Sequence, residues 1–181
     1  MAVIVVGGSG KGVGKTSLVC GLIAALPEFR WTAVKVTSHD YGISGHILEE
    51  TQAGQGTDTA RYLAAGAHRA LLVGSETGKI PLDELWANVG RGADLIFESN
   101  TISELLEADL CLGVLGSRAD VKPSFEPFMM RMDASVTRAG IIPVLMAVVP
   151  ALPIFKLAHM ERISPEMAAW VRLRLRPALR F

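Results

Sequence analysis

The amino end carries the tightest constraint. Val3-Ile4-Val5-Val6 is a short apolar run; Gly7-Gly8-Ser9-Gly10-Lys11-Gly12-Val13-Gly14-Lys15-Thr16-Ser17 follows, then a helical pattern to Leu26 stopped by Pro27. A continuous β-branched run bounded by glycines predicts a strand buried on both faces, as in a parallel sheet. A glycine-rich turn from strand to helix brings backbone N–H groups onto one point, beside the positive end of the helix dipole. Phosphate oxygens are the ligand such a turn suits. The pattern G-x-x-x-x-G-K-[ST] is the phosphate-binding loop, or P-loop, with Ser9 here in the first position and Gly8 and Gly10 beside it. Lys15 is then the point charge for β- and γ-phosphates, and the Thr16 hydroxyl a ligand for Mg²⁺. The expected nucleotide contacts are Ser9, Gly10, Lys11, Gly12, Val13, Gly14, Lys15, Thr16 and Ser17, although Lys11 reads equally as a solvated loop lysine.

The remaining chain alternates short apolar runs with helical patterns. Strands are predicted over Trp31–Thr37, Ala70–Val73, Asp94–Glu98, Leu110–Leu115 and Ile141–Val149. Helices are predicted over Thr57–Ala65 and Pro81–Val89, from the capping-box spacing Thr101-Ile102-Ser103-Glu104, and from Ser164-Pro165-Glu166. Another helix carries Phe125, Phe128, Met129, Met132 and Val136, while Ser38–Gly56 reads as a loop. Such alternation predicts an α/β fold, a P-loop NTPase with a doubly wound, mostly parallel sheet and helices on both faces. At 181 residues the chain, 1–181, reads as one domain.

Composition removes several classes. Eighteen basic residues against 18 acidic ones leave no net charge, which argues against a general nucleic-acid binder. With 50% hydrophobic residues the chain has enough apolar surface to offset ordering entropy, so disorder is excluded. The apolar stretch Ile141–Leu152 is broken by Pro143 and Pro150 and falls short of the roughly 20 residues that a membrane span needs. Two cysteines, Cys20 and Cys111, make no disulfide framework and read as inert buried residues, and no leader is evident. A cytoplasmic protein without a membrane contact is expected.

Two acids are placed to meet a metal. Asp40 follows the second strand and Glu98 ends a strand expected beside the first, so both point to the carboxyl edge of the sheet, where ligands bind. With Thr16 they are the Mg²⁺ candidates, and with Lys15 they form the catalytic set. Asp58 reads more simply as a first-turn helix acid, and His39 as a water-polarising or surface residue. Ser117-Arg118-Ala119-Asp120 stands where an N-K-x-D guanine reader would be, with Asp120 accepting from the guanine edge; adenine lacks that donor pair. Met129, Met130 and Met132 read as core filling, and Arg172, Arg174, Arg176 and Arg180 as complements to the last helix dipole. Arg61 and Arg69 lie mid-chain without forming an arginine-rich lid.

Several of these segments together resemble the molybdopterin-guanine dinucleotide biosynthesis protein B family. Ser9-Gly10-Lys11-Gly12-Val13-Gly14-Lys15-Thr16-Ser17-Leu18 is similar to its phosphate loop, and Lys35-Val36-Thr37-Ser38-His39-Asp40 to its K-H-T-H-H-D segment. Gly56-Thr57-Asp58-Thr59, Ala65-Gly66-Ala67, Asp94-Leu95-Ile96-Phe97-Glu98 and Pro153-Ile154-Phe155 match further family stretches. Ser99-Asn100 depart from the glycine and apolar residue that usually follow the glutamate. The resemblance implies a homodimeric GTP-binding accessory protein of molybdenum-cofactor maturation, partnered by a nucleotidyltransferase. The chemistry expected is Mg²⁺-dependent binding of a purine nucleoside triphosphate, GTP or ATP, with slow hydrolysis. A P-loop small-molecule kinase and a nucleotide-gated scaffold are the alternatives.

Overall fold

The computed structural model describes residues 1–38, 45–75, 79–90, 92–117, 121–138, 152–157 and 162–175. In chain order the strands are β1 (Val3–Gly8), β2 (Trp31–Thr37), β3 (Ile47–Glu50), β4 (Arg69–Gly74), β5 (Asp94–Glu98), β6 (Leu110–Leu115), β7 (Ala134–Thr137) and β8 (Ile154–Lys156). Helices are α1 (Lys15–Ala25), α2 (Asp58–Ala64), α3 (Leu82–Val89), α4 (Glu126–Met129) and α5 (Pro165–Leu175). One sheet runs β3-β4-β2-β5-β1-β6-β7-β8, parallel except for β3 against β4. From β1 the chain skips past β5 to reach β2 on one side, and later adds β6 on the other. The carboxyl end of β1 is therefore the switch point, where a crevice opens.

Side-chain alternation along β1 explains the two-layer burial. Ile4 and Val6 join Leu18, Leu22, Tyr62 and Val171 in one core; Val3 and Val5 join Leu85, Phe97, Phe125 and Phe128 in the other. Helix α1 is buried from Ser17 through Ile23, apolar around most of its circumference, because the sheet, α2 and α5 share its core. Trp31 anchors the start of β2: its ring N–H donates to the Leu26 carbonyl at 3.1 Å and its face stacks on Phe29.

The structure corrects four sequence expectations. Within Ser38–Gly56, Ile47–Glu50 forms β3, since β4 offers an open edge to which Ile47 and Glu49 register opposite Val73 and Leu71. That pairing is non-local and leaves no periodicity. The helix through Phe125–Val136 is instead a 3₁₀ turn (Pro123–Phe125), the single turn α4, and then β7. Met132 and Val136 have helical spacing, but the pairing of Leu112 with Ala134 starts a strand between them. Thr101 does not cap its turn; Ser99 Oγ accepts the N–H groups of Thr101 and Ile102, both at 3.2 Å. Met130 is exposed, not core, although Met132 is buried. The short β8 carries the Pro153-Ile154-Phe155 stretch into the sheet beside β7. The strand predicted over Ile141–Val149 lies outside the described residues, apart from which no described helix is long and apolar enough to cross a membrane.

Candidate functional site: the loop after the first strand

Every expected loop residue from Ser9 to Ser17 lies between β1 and the first turn of α1. Gly14 caps α1 with φ of +112°, a conformation that a Cβ would strain, and Gly12 has φ of +73°. The first N–H to reach back along α1 is that of Leu18, to the Gly14 carbonyl at 2.9 Å. The N–H groups of Lys15, Thr16 and Ser17 therefore have no helical carbonyl and face the crevice.

Ser9 in the first motif position is a joint. Its N–H donates to the Val114 carbonyl, its hydroxyl accepts the Gly116 N–H, and its carbonyl accepts the Lys122 N–H, each at 2.9 Å. The loop is thereby tied to the exit of β6. Asn100 holds the same turn from the other side. Its side-chain oxygen accepts the Gly8 N–H at 2.8 Å, and its amide nitrogen donates to the Gly8 carbonyl at 3.2 Å and to Ser124 at 3.1 Å. The departure at Ser99-Asn100 is therefore functional packing: one residue caps a turn and the next clamps the loop.

On one flank stands a charged network. Glu98, 5% exposed, accepts from the Thr16 hydroxyl at 2.8 Å, from the Tyr62 hydroxyl, and from Lys35 at 3.3 Å. Lys35 and Glu98 are register partners of adjacent strands, which is why the two meet. Lys35 also pairs with Asp58, and Asp58 with Arg61 at 3.1 Å. Burial alone would lower the Lys35 pKa, but Glu98 and Asp58 outweigh it and raise it. Burial would raise Asp58; Lys35, Thr16 and Arg61 reverse this and hold it below its ordinary value. Burial first, then Glu98, push Tyr62 well up. Asp58, read from sequence as a first-turn helix acid, is thus part of this network.

Lys15 bends over the loop, its ammonium donating to the Gly10 carbonyl at 3.1 Å. Burial, aided by Lys122 and Lys35 and opposed by Glu98, lowers its pKa. A cavity of about 620 Å³ opens here, walled by Lys15, Thr16, Lys35, Asp58, Arg61, Glu98 and Arg138 among others. On the opposite flank a cleft of about 610 Å³ lies over Val13, between Leu115, Gly116, Ser117, Val121, Lys122 and Pro123. A third, of about 420 Å³, lies beyond the Lys35–Asp58 pair, against Leu48 and Leu72. Arg138, at the end of β7, donates to the Ser17 hydroxyl at 2.7 Å, and Arg61 reaches the same atom at 3.4 Å.

Two comparisons with solved structures follow from this geometry. LpxK from Aquifex aeolicus, solved in complex with ATP, is 23% identical with a TM-score of 0.54, covering 86% of this chain and 53% of its own. HypB from Helicobacter pylori, solved in complex with nickel, is 18% identical with a TM-score of 0.50, covering 86% of this chain and 78% of its own. The fold is that of the P-loop NTPases. This chain spans about half the length of LpxK. No protein-family model matches the sequence, and no curated protein matches it.

Against this P-loop frame the predicted residues divide. Lys15, Thr16, Ser17 and Glu98 converge on one cavity, and Ser9 to Val13 line the cleft beside it. Asp40 and His39 lie outside the described residues, as do Arg118, Ala119 and Asp120, so only Ser117 of that run is described, at the rim of the cleft. Arg69 serves the sheet edge, held by Glu49 and Asn88. Arg172 meets Glu28 and the Ala25 carbonyl at the end of α1, and Arg174 lies 3.7 Å over the Trp170 ring, so neither simply complements its own helix; Arg176 and Arg180 lie outside the described residues. Cys20 and Cys111 are buried, and burial pushes the Cys111 thiol up to about 11. The sequence reading missed Asn100, Tyr62, Lys122 and Arg138. A lysine inside the buried strand Trp-Thr-Ala-Val-Lys-Val-Thr was the available signal for the Glu98 network.

Proposed function

We infer that this chain binds a purine nucleoside triphosphate with Mg²⁺ and hydrolyses it slowly. One observation carries the reading: three N–H groups of the first turn of α1 with no partner among the described residues, the Lys15 ammonium and the Thr16 hydroxyl converge on one cavity at the sheet's switch point. The Lys15 ammonium, resting on the Gly10 carbonyl, can swing to a β- or γ-phosphate without leaving the cavity.

The donor set fits Mg²⁺. Thr16 gives its proton to Glu98, which leaves its oxygen lone pairs for a cation, and Glu98 and Asp58 add hard carboxylate oxygens. No group of three His, Cys, Asp or Glu side chains forms a protein-only metal cage among the described residues, as suits an ion held partly by phosphate and water. Bound there, Mg²⁺ would neutralise phosphate charge; Lys35 and Tyr62 hold the Glu98 carboxylate in place beside Thr16. Asp58, held ionised between Lys35 and Arg61, is a poor proton acceptor, so acceleration rests on positioning and charge. Slow turnover follows.

The choice of GTP, a homodimer, and service to a molybdenum-cofactor nucleotidyltransferase rest on the motif resemblance alone. A second reading, small-molecule phosphoryl transfer, draws on the 420 Å³ cavity that shares Lys35 and Asp58 with the larger one. Calorimetry with GTP and ATP, with and without Mg²⁺, tests the main reading. Micromolar or tighter binding in the wild type and a loss of at least about 100-fold in Lys15→Ala are expected. No heat, or equal heat in both proteins, overturns it. Rapid appearance of a phosphorylated metabolite, with phosphate release minor, favours transfer.

A further inference from the structure

We propose that Arg138 is a nucleotide-binding residue that holds the base-proximal phosphate, at the point where the base cleft meets the phosphate cavity. The inference rests on the nucleotide-binding reading above and adds a residue that the motif does not contain.

Arg138 walls both the 620 Å³ cavity and the 610 Å³ cleft. A nucleotide whose phosphates occupy the first and whose base occupies the second must pass its α-phosphate between them. The guanidinium is already over the loop: a Cβ on Gly14 would lie 3.1 Å from its Nε. Its Nη2 donates to Ser17 Oγ at 2.7 Å. Ser17 is the last residue of the first turn of α1 before Leu18 bonds back to Gly14, so its free N–H is the donor farthest from the Lys15 end of the turn.

Charge points the same way. Arg61 approaches the same hydroxyl from α2 at 3.4 Å, but Arg61 has Asp58 as counter-ion. Arg138 has only the neutral Ser17 hydroxyl among the described residues, and forms no ion pair there. Two guanidinium groups brought to one hydroxyl repel each other, and that hydroxyl cannot neutralise Arg138 as Asp58 neutralises Arg61. A phosphate at Ser17 would turn that repulsion into two charge-assisted contacts. Lys15 and Thr16 are engaged on the other side, with Gly10 and Glu98, which assigns them to the distal phosphates.

Position decides the test. Removing a cation from the terminal phosphate changes the ratio of triphosphate to diphosphate affinity, whereas removing one from the α-phosphate weakens both equally. Calorimetric titration of GTP, GDP, ATP and ADP is carried out on the wild type, Arg138→Ala, Arg138→Gln, Arg138→Lys and Lys15→Ala. Arg138→Ala and Arg138→Gln are expected to bind tri- and diphosphates about tenfold more weakly with the ratio unchanged, and Arg138→Lys to recover part of the loss. Thermal unfolding without nucleotide, expected to match the wild type, separates this from a folding defect. Unchanged affinities in both charge-removing variants, or a loss confined to the triphosphates, overturn the proposal while leaving the P-loop reading intact. If the wild type binds none of the four, both readings fall together.

Discussion

The two flanks of the phosphate loop are built on opposite electrostatic plans. On the β5 side the charges are already matched around a buried carboxylate: Glu98 takes hydrogen bonds from Thr16, Tyr62 and Lys35, and the half-buried Lys35 and Arg61 share Asp58. On the β6–β7 side, Lys122 and Arg138 stand exposed and have no carboxylate partner among the described residues. A buried charge must be paired to be tolerated, so the bonds around Glu98 belong to the fold. Exposed, unmatched cations cost little in the free protein and gain most when a polyanion arrives. The contrast separates charges that are paired within the fold from cations that have no carboxylate partner among the described residues.

The sharpest way to break this contrast is Glu98→Ala. It strips the partner from Thr16, Tyr62 and one side of Lys35, and is expected to destabilise the protein by about 3–5 kcal/mol in urea unfolding. A loss under about 1 kcal/mol would mean that the buried flank is not structural. Asn100→Ala comes next. Losing its paired bonds to Gly8 and the one to Ser124 is expected to cost about 1–3 kcal/mol and to weaken triphosphate binding as the loop loosens.

Titration sharpens the comparison further, because Lys15 lies at the boundary of the two flanks. Burial sets its pKa below 10.5, so triphosphate affinity is expected to decline with rising pH before an ordinary lysine would discharge. Stability of the free protein has the opposite sign: between the lowered value and 10.5 the unfolded chain binds the extra proton, so folding gains as pH rises. Affinity that stays level up to pH 10.5 would contradict the assignment. The smallest effect is on the exposed flank, where Lys122→Ala should leave unfolding within about 0.5 kcal/mol of wild type.

Much of the central architecture was legible before any coordinates. β1, β2, β5 and β6 are short, mostly apolar runs whose burial on both faces writes itself into composition, and the glycines after β1 mark the turn that leads into α1. Edge strands were not. Ile47–Glu50 is half polar, and Ala134–Thr137 has four residues; each is a strand only because a neighbour offers its hydrogen-bonding edge. Glu98 was legible as an acid facing the loop, but its three donors come from α1, α2 and β2.

What the sequence alone determined is the glycine-rich turn and the parallel sheet behind it, because both depend on residues adjacent in the chain, whose backbone freedom and periodicity are local properties. The tertiary structure alone decided which side chains surround that turn. Asn100 reaches Gly8 across 92 positions, Arg138 reaches Ser17 across 121, and Lys35 finds Glu98 through strand register. Contacts at such separations depend on strand order and packing, and neither is written in any local pattern of residues.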